Sequence, residues 1–281
     1  GVDEALDVLV QRALVSFDGA RYGYHALLRQ YAYGKLEELG DPGAVHRLAA
    51  GYLREKLTGE GGTPEEALEE VDQWERAEAW EEMARRASAL VGNLDRVGYW
   101  AEIEERLERA RTMVGQHLDE PKLEATLLND LGIIARKSGE WDRAIEMYER
   151  SLQDFERVGD VHGMAQTWGN LGLVYADKGE WDRAIEMYER SLETFERVGD
   201  VHGMAQTFNN LGLVYARQGK WDRAIARYEQ SLETFERLGD VHGIASTWTS
   251  LGILYLQTDC PDEAKPLLAR AYLIFAQLGS P

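Results

Sequence analysis

Fifty acidic against 31 basic residues give this 281-residue chain a formal charge of −19, a field that repels phosphate backbones and anionic bilayers and excludes nucleic acid and membrane surfaces as natural partners. At 44% hydrophobic and 10% aromatic, it holds enough apolar side chains for a packed core. One cysteine, Cys260, excludes an internal disulfide framework and fits a reducing, cytoplasmic setting.

No apolar run approaches the roughly 20 residues that span a bilayer, and the opening GVDEALDVLVQRAL carries acid where a signal peptide carries base. The chain starts in mid-pattern, which predicts a piece of something longer. Residues 3–13 have a helical period; LVSF and RYGYH then flank Asp18-Gly19-Ala20, a hairpin signal. A second helix is expected from 26 to 39, stopped by Gly40. Helix, two-stranded wing and helix make residues 1–40 the end of a truncated winged-helix module.

The string LVQRALVSFDGARYGYHALLRQYAYGKL resembles the winged-helix segment that follows the nucleotide-binding domain in STAND signalling ATPases of the NB-ARC type. That resemblance implies that His25, at the position of the histidine in the family's Met-His-Asp motif, senses nucleotide in a parent protein. Tyr24 and Ala26 stand where the motif has Met and Asp. No G-x-x-x-x-G-K-[S/T] loop occurs, so ATP or ADP would belong to the parent and no cofactor is expected within this chain.

Residues 41–118 read as linking helices and a degenerate repeat. Thr63-Pro64-Glu65-Glu66 is a helix start with a capping box and a proline in the first turn. Residues 83–118 read as a worn copy of a forty-residue unit, with Trp100 falling 41 residues before Trp141 and Ala110 in a small-residue slot.

From 119 to 281 the chain repeats that unit. At an offset of forty, residues 141–180 and 181–220 differ at only seven places: 153, 154, 168, 169, 177, 178 and 180. Each unit carries two stretches with apolar residues at three-to-four spacing, the pattern of two amphipathic helices. Gly179 marks the turn between them; Gly199 stops the second helix and Asp200 caps the next. Small residues recur at Gly132/Ala144, Gly172/Ala184, Gly212/Ala224 and Gly252/Ala264, where two helices must approach. Tyr148, Tyr188 and Tyr228, with Leu268 in the last copy, are expected to fill space beneath the next unit.

The series Trp168, Leu171, Gly172, Tyr175, Ala184, Tyr188, Ser191 resembles the tetratricopeptide repeat, in the longer kinesin-light-chain-like variant. Four units, starting near 121, 161, 201 and 241, fit. The expected fold is therefore all-α: a right-handed solenoid of antiparallel helix pairs with a small winged-helix remnant in front.

Catalysis finds no support. Glu146/Arg150, Glu186/Arg190 and Glu102/Arg106 are i, i+4 pairs of solvated helix faces, and no nucleophile elbow or metal-spaced cysteine set occurs. His162, His202 and His242 look like a ladder, but equivalent helices of stacked units lie roughly 10 Å apart, whereas zinc holds nitrogens at about 2 Å. They are expected to be a copied helix-start position, and no metal site is expected. Trp168, Phe208 and Trp248 are read as core, Trp141, Trp181 and Trp221 as wedges against the neighbouring turn.

In such a superhelix the first helix of each unit lines the concave groove. The residues expected there are Gln166, Gly169, Asn170, Leu173 and Asp177; Gln206, Asn209, Asn210, Leu213 and Arg217; and Ser246, Thr249, Ser250, Ile253 and Gln257. Asn170 and Asn210 precede the Leu-Gly pair, where similar repeats hold an asparagine that grips a ligand's peptide backbone; one amide both donates and accepts. Five of the seven differences fall in or beside the first helix, including Asp177 to Arg217 and Lys178 to Gln218, which marks ligand contact as the varied feature. The expected function is a ligand-sensing, protein- or peptide-binding arm of a STAND signalling ATPase. A free-standing adaptor or scaffold is the alternative, and a DNA-binding regulator fits the charge poorly. The last helix, AKPLLARAYLIFAQLG, is more apolar than a terminal cap and predicts cover by further repeats or by self-association.

Overall fold

The structure, a computed structural model, describes residues 42–58, 63–93 and 98–278; the expected wing, hairpin and His25 lie outside them. The described residues form twelve helices, with no strand among them. The chain divides into two compact parts, with the boundary between Leu118 and Asp119.

In the first part, α1 (Pro42–Thr58), α2 (Pro64–Arg76), α3 (Trp80–Asn93) and α4 (Trp100–His117) pack in sequence order. The capping box forms: Thr63 Oγ1 accepts from the Glu66 N–H at 3.3 Å, and the Thr63 N–H donates to Glu66 Oε2 at 3.2 Å. Beside an apolar core of Met83, Ala84, Ile103, Leu107 and Ala110 runs a polar one. Glu70 is wholly buried and receives Arg54 Nε at 3.1 Å, Arg86 Nη2 at 2.7 Å and Trp74 Nε1 at 3.3 Å. A buried carboxylate persists only with this degree of pairing. Arg106 does not close on the Glu102 carboxylate as its spacing suggested. It reaches Asp72 at 2.6 Å and the Leu68 carbonyl at 3.2 Å, because a partner across the helix interface is better shielded from water than one on its own exposed face.

The second part holds four helix pairs: α5 (Pro121–Lys137) with α6 (Trp141–Val158), α7 (Val161–Asp177) with α8 (Trp181–Val198), α9 (Val201–Arg217) with α10 (Trp221–Leu238), and α11 (Val241–Gln257) with α12 (Pro261–Gln277). These are repeats 1 to 4. Each second helix also packs on the first helix of the next repeat. Gly159, Gly199 and Gly239 take the left-handed conformation that ends each second helix (φ 72°, 73° and 68°), and Asp160, Asp200 and Asp240 cap the following helix through Gly163, Gly203 and Gly243 N–H.

Two glycine series set the helix spacing. Within repeats, the rings of Tyr148, Tyr188 and Tyr228 lie against Gly132, Gly172 and Gly212, where an added Cβ would sit 2.6–2.7 Å from ring carbon. The tyrosines thus fill the interior of their own repeat. Between repeats, Phe155, Phe195 and Phe235 press equally close on Gly163, Gly203 and Gly243. Buried hydroxyls fasten the pairs: Ser151, Ser191 and Ser231 donate to the carbonyls of Ala125, Ala165 and Ala205 at 2.8–2.9 Å. At the far end the packing face stays open. Tyr272 is 72% exposed, whereas its repeat-1 counterpart Leu152 is 8% exposed beneath the next helix.

Candidate ligand-binding face

The leading helices α7, α9 and α11 bury Thr167, Leu171 and Val174 and their counterparts on one side and open the other to solvent. Gln166, Asp177, Gln206, Arg217 and Gln257 are exposed, and Asn170, Asn209, Asn210 and Ser250 are half-buried. Among these polar groups stand Leu213 and Ile253, 44% and 47% exposed. Leu173, one repeat earlier, is drawn further into the core.

The two asparagines expected to act alike have different surroundings. Asn170 Nδ2 donates to Asn129 Oδ1 at 3.0 Å, an oxygen that also receives Thr167 Oγ1 at 3.2 Å. Asn210 finds Gly169 at the position of Asn129, so the preceding repeat supplies no amide to hold it. Asn209 Oδ1 is buried without a hydrogen-bond partner among the described residues. Ser250 Oγ donates to the Ser246 carbonyl at 3.2 Å, and Thr249 Oγ1 to that of Ala245 at 2.9 Å.

Asp177 and Arg217, equivalent by position, also differ. Arg136 of repeat 1 binds Asp177 at 2.7 Å, whereas Arg217 has Ala176 at the position of Arg136 and no carboxylate partner among the described residues. Lys178 Nζ reaches Asp142 at 2.7 Å and Gln218 Nε2 reaches Asp182 at 3.1 Å. The difference at 177, which from sequence marked ligand contact, therefore also answers to the preceding repeat, an acid where it offers arginine; at 178 both residues donate to the same aspartate of Trp-Asp-Arg-Ala. Burial pushes the Tyr148 and Tyr188 hydroxyls up, against the pull of the nearby Arg136. It lifts Tyr228 to about 12, opposed by Ser250 and Arg217.

The histidines mark a second seam. His162 Nδ1 lies 3.5 Å from Asp200 and His202 Nε2 3.1 Å from Asp240, while Lys122 binds Asp160 at 2.7 Å from the same repeat position. Their rings meet Phe195, Phe235 and, for His242, Phe275 edge-on at 5.5–5.8 Å. Trp168, Phe208 and Trp248 are half-buried, each beneath a guanidinium: Arg190 at 4.9 Å, Arg227 at 5.8 Å and Arg270 at 5.7 Å. Among the described residues no group of His, Cys, Asp and Glu could hold a metal ion, and no helix is long and apolar enough to cross a membrane.

Family models described as tetratricopeptide repeat match residues 127–154, 163–237 and 209–277. No curated protein matches the chain. Among solved structures it is similar to BtubC (BKLC) from P. vanneervenii, with a TM-score of 0.59 and 22% identity over 85% of this chain and 91% of that one. It is also similar to the apo form of RapI, with a TM-score of 0.66 and 16% identity over 83% of each chain. The Rap protein complexed with Competence and Sporulation Factor gives a TM-score of 0.57 at 12% identity, over 76% of this chain and 71% of that one. These are likenesses of fold.

Proposed function

From a chain that carries tetratricopeptide repeats, we propose that it binds a protein or peptide along the open face of α7, α9 and α11. The observation that carries this reading is the exposure of Leu213 and Ile253 at matching positions of successive repeats, flanked by amides and one unneutralised arginine. An extended peptide has the matching chemistry. Its side chains cover the two aliphatic positions, its main chain exchanges hydrogen bonds with Asn210, Asn209, Gln206 and Gln257, and an acidic or C-terminal carboxylate pairs with Arg217. Gln166, Asn170, Leu173, Asp177 and Ser250 border that path, with Asn170 and Asp177 engaged by repeat 1. The Rap protein complexed with Competence and Sporulation Factor, similar in fold, supports the reading.

The finer reading is that this face is the sensor arm of a STAND-type signalling ATPase in the cytoplasm, whose nucleotide module lies outside these residues. It rests on the resemblance of residues 1–40 and on His25. The open face of α12, with Tyr272 and Leu273 72% and 60% exposed, supports a second contact with a further repeat or another copy of the chain.

The test is selection of peptides from a random library on the whole chain, followed by titration of the selected peptide against a Leu213→Glu/Ile253→Glu variant. Loss of binding by more than about tenfold is expected, since two apolar contacts are removed and carboxylates placed in their stead. Undiminished binding overturns the proposal.

A further inference from the structure

The near-identity of the repeats makes their few differences informative on the trailing helices as well. Helices α8 and α10 differ at only four of their 18 positions: 186/226, 187/227, 190/230 and 198/238. Three of the four, Ala226, Arg227 and Gln230, line a surface crevice with Tyr215 and Arg223. A fifth change stands just before the helix, where Glu180 becomes Lys220.

These changes remove the two carboxylates that neutralise this wall in repeat 2. There, Glu180 accepts from Arg183 at 2.8 Å and Glu186 from Arg190 at 2.8 Å. In repeat 3 their places are taken by Lys220 and Ala226, and Met187 gives way to Arg227. Lys220, Arg223 and Arg227 consequently have no carboxylate partner among the described residues. They stand against aromatic rings: Arg223 and Lys220 at 5.8 and 6.0 Å from the Tyr215 centroid, Arg227 at 5.8 Å from that of Phe208. Arg227 also donates to Gln230 Oε1 at 2.9 Å. The acids near by position are Glu189 on α8, counterpart of the Glu149 that acts on Tyr175 in the preceding repeat, and Asp222 and Glu229 on α10 itself.

We propose that this crevice, on Tyr215 and α10, is a docking site for an acidic peptide segment of a partner protein, separate from the open face of the leading helices. Guanidinium forks take carboxylates in two-point hydrogen bonds, and aromatic rings beneath them hold the planes in place. A cationic cluster on a chain of net charge −19 attracts a short acidic segment within a screening length, while the wider field turns away a long phosphate polyanion.

The probe is fluorescein-labelled hexaglutamate, titrated by fluorescence anisotropy against the whole chain at low salt. The decisive variant rewrites the wall with the residues of repeat 2: Lys220→Glu, Ala226→Glu, Arg227→Met and Gln230→Arg together. All four already occupy equivalent positions in a folded neighbour, so the repeat keeps its packing. Binding should fall by at least about tenfold, the scale expected when a charge-complementary contact becomes repulsive. The reverse rewriting, Glu180→Lys, Glu186→Ala, Met187→Arg and Arg190→Gln, should create a second site of similar affinity, read as a changed stoichiometry. The Leu213→Glu/Ile253→Glu variant should bind hexaglutamate as before, which separates this crevice from the leading-helix face. No binding by the unaltered chain, equal binding by the repeat-3 rewriting, or stronger binding of a thymidine hexanucleotide than of hexaglutamate would each overturn the proposal.

Discussion

Gly172 and Tyr188 compete for one volume: a Cβ added at residue 172 would lie 2.7 Å from Cε1 of the Tyr188 ring. The ring is rigid and only 1% exposed, so the strain has to move a helix. Gly172→Ala should therefore destabilise the chain by about 1–3 kcal/mol, the usual cost of overpacking a tight core, despite the better helix propensity of alanine. Urea unfolding measures it; a neutral or stabilising effect would show that the helix pair has slack.

The buried carboxylate of Glu70 makes the first part vulnerable in a different way. Arg86→Ala removes one of its two cationic partners and leaves Arg54, which is itself 44% exposed. A loss of about 3 kcal/mol is expected, because the charge stays buried with half its compensation. Amide hydrogen exchange in α1 to α4 should accelerate.

Acid sensitivity should concentrate at the repeat junctions. Burial alone would raise the Asp160 and Asp240 carboxyls. The capping N–H of Gly163 or Gly243, with Lys122 or His202 respectively, holds both below the ordinary aspartate value. A depressed carboxyl stabilises the fold fully above the unfolded value, about 3.9, and that contribution disappears as pH falls through the lower folded value. The Asp240→Asn variant should thus show a shallower decline in melting temperature below about pH 4. An unchanged acid limb would mean that Asp240 has no part in it.

At the alkaline end the sign is reversed for the tyrosines. Their raised values favour the neutral hydroxyl in the fold, so stability is intact below about pH 10, where free tyrosine ionises, and is lost as pH climbs toward the folded values, about 12 for Tyr228. Tyrosinate absorbance followed with circular dichroism should show Tyr148, Tyr188 and Tyr228 ionising together with helix loss. Ionisation ahead of unfolding would mean that the hydroxyls reach water in the native state.

What could be read from the residues alone divides by range. Caps and turns such as Thr63, Gly199 and Asp200 were legible because each acts within a few positions of itself. The small-residue rule was legible at Gly172, but its counterpart was not: Ala184 shares the spacing, while the group that needs the room is Tyr188. Gly163 gave no signal, since its partner Phe155 lies across a repeat boundary and only stacking brings them together. On the candidate face, what the sequence did not show is the neighbour of each side chain. Asn170 and Asp177 face the amide and the guanidinium of repeat 1, and a pattern that compares each repeat with its copy does not see what the copy leans against.

The Phe155, Phe195 and Phe235 contacts with Gly163, Gly203 and Gly243 are chemically interchangeable. Excising or duplicating a whole forty-residue module would rejoin a phenylalanine to a glycine it already fits. Such an array can lengthen or shorten by genetic exchange without redesigning its joints, while the sidedness of its surfaces, set by substitutions like those around Arg227, moves with each module as a portable trait.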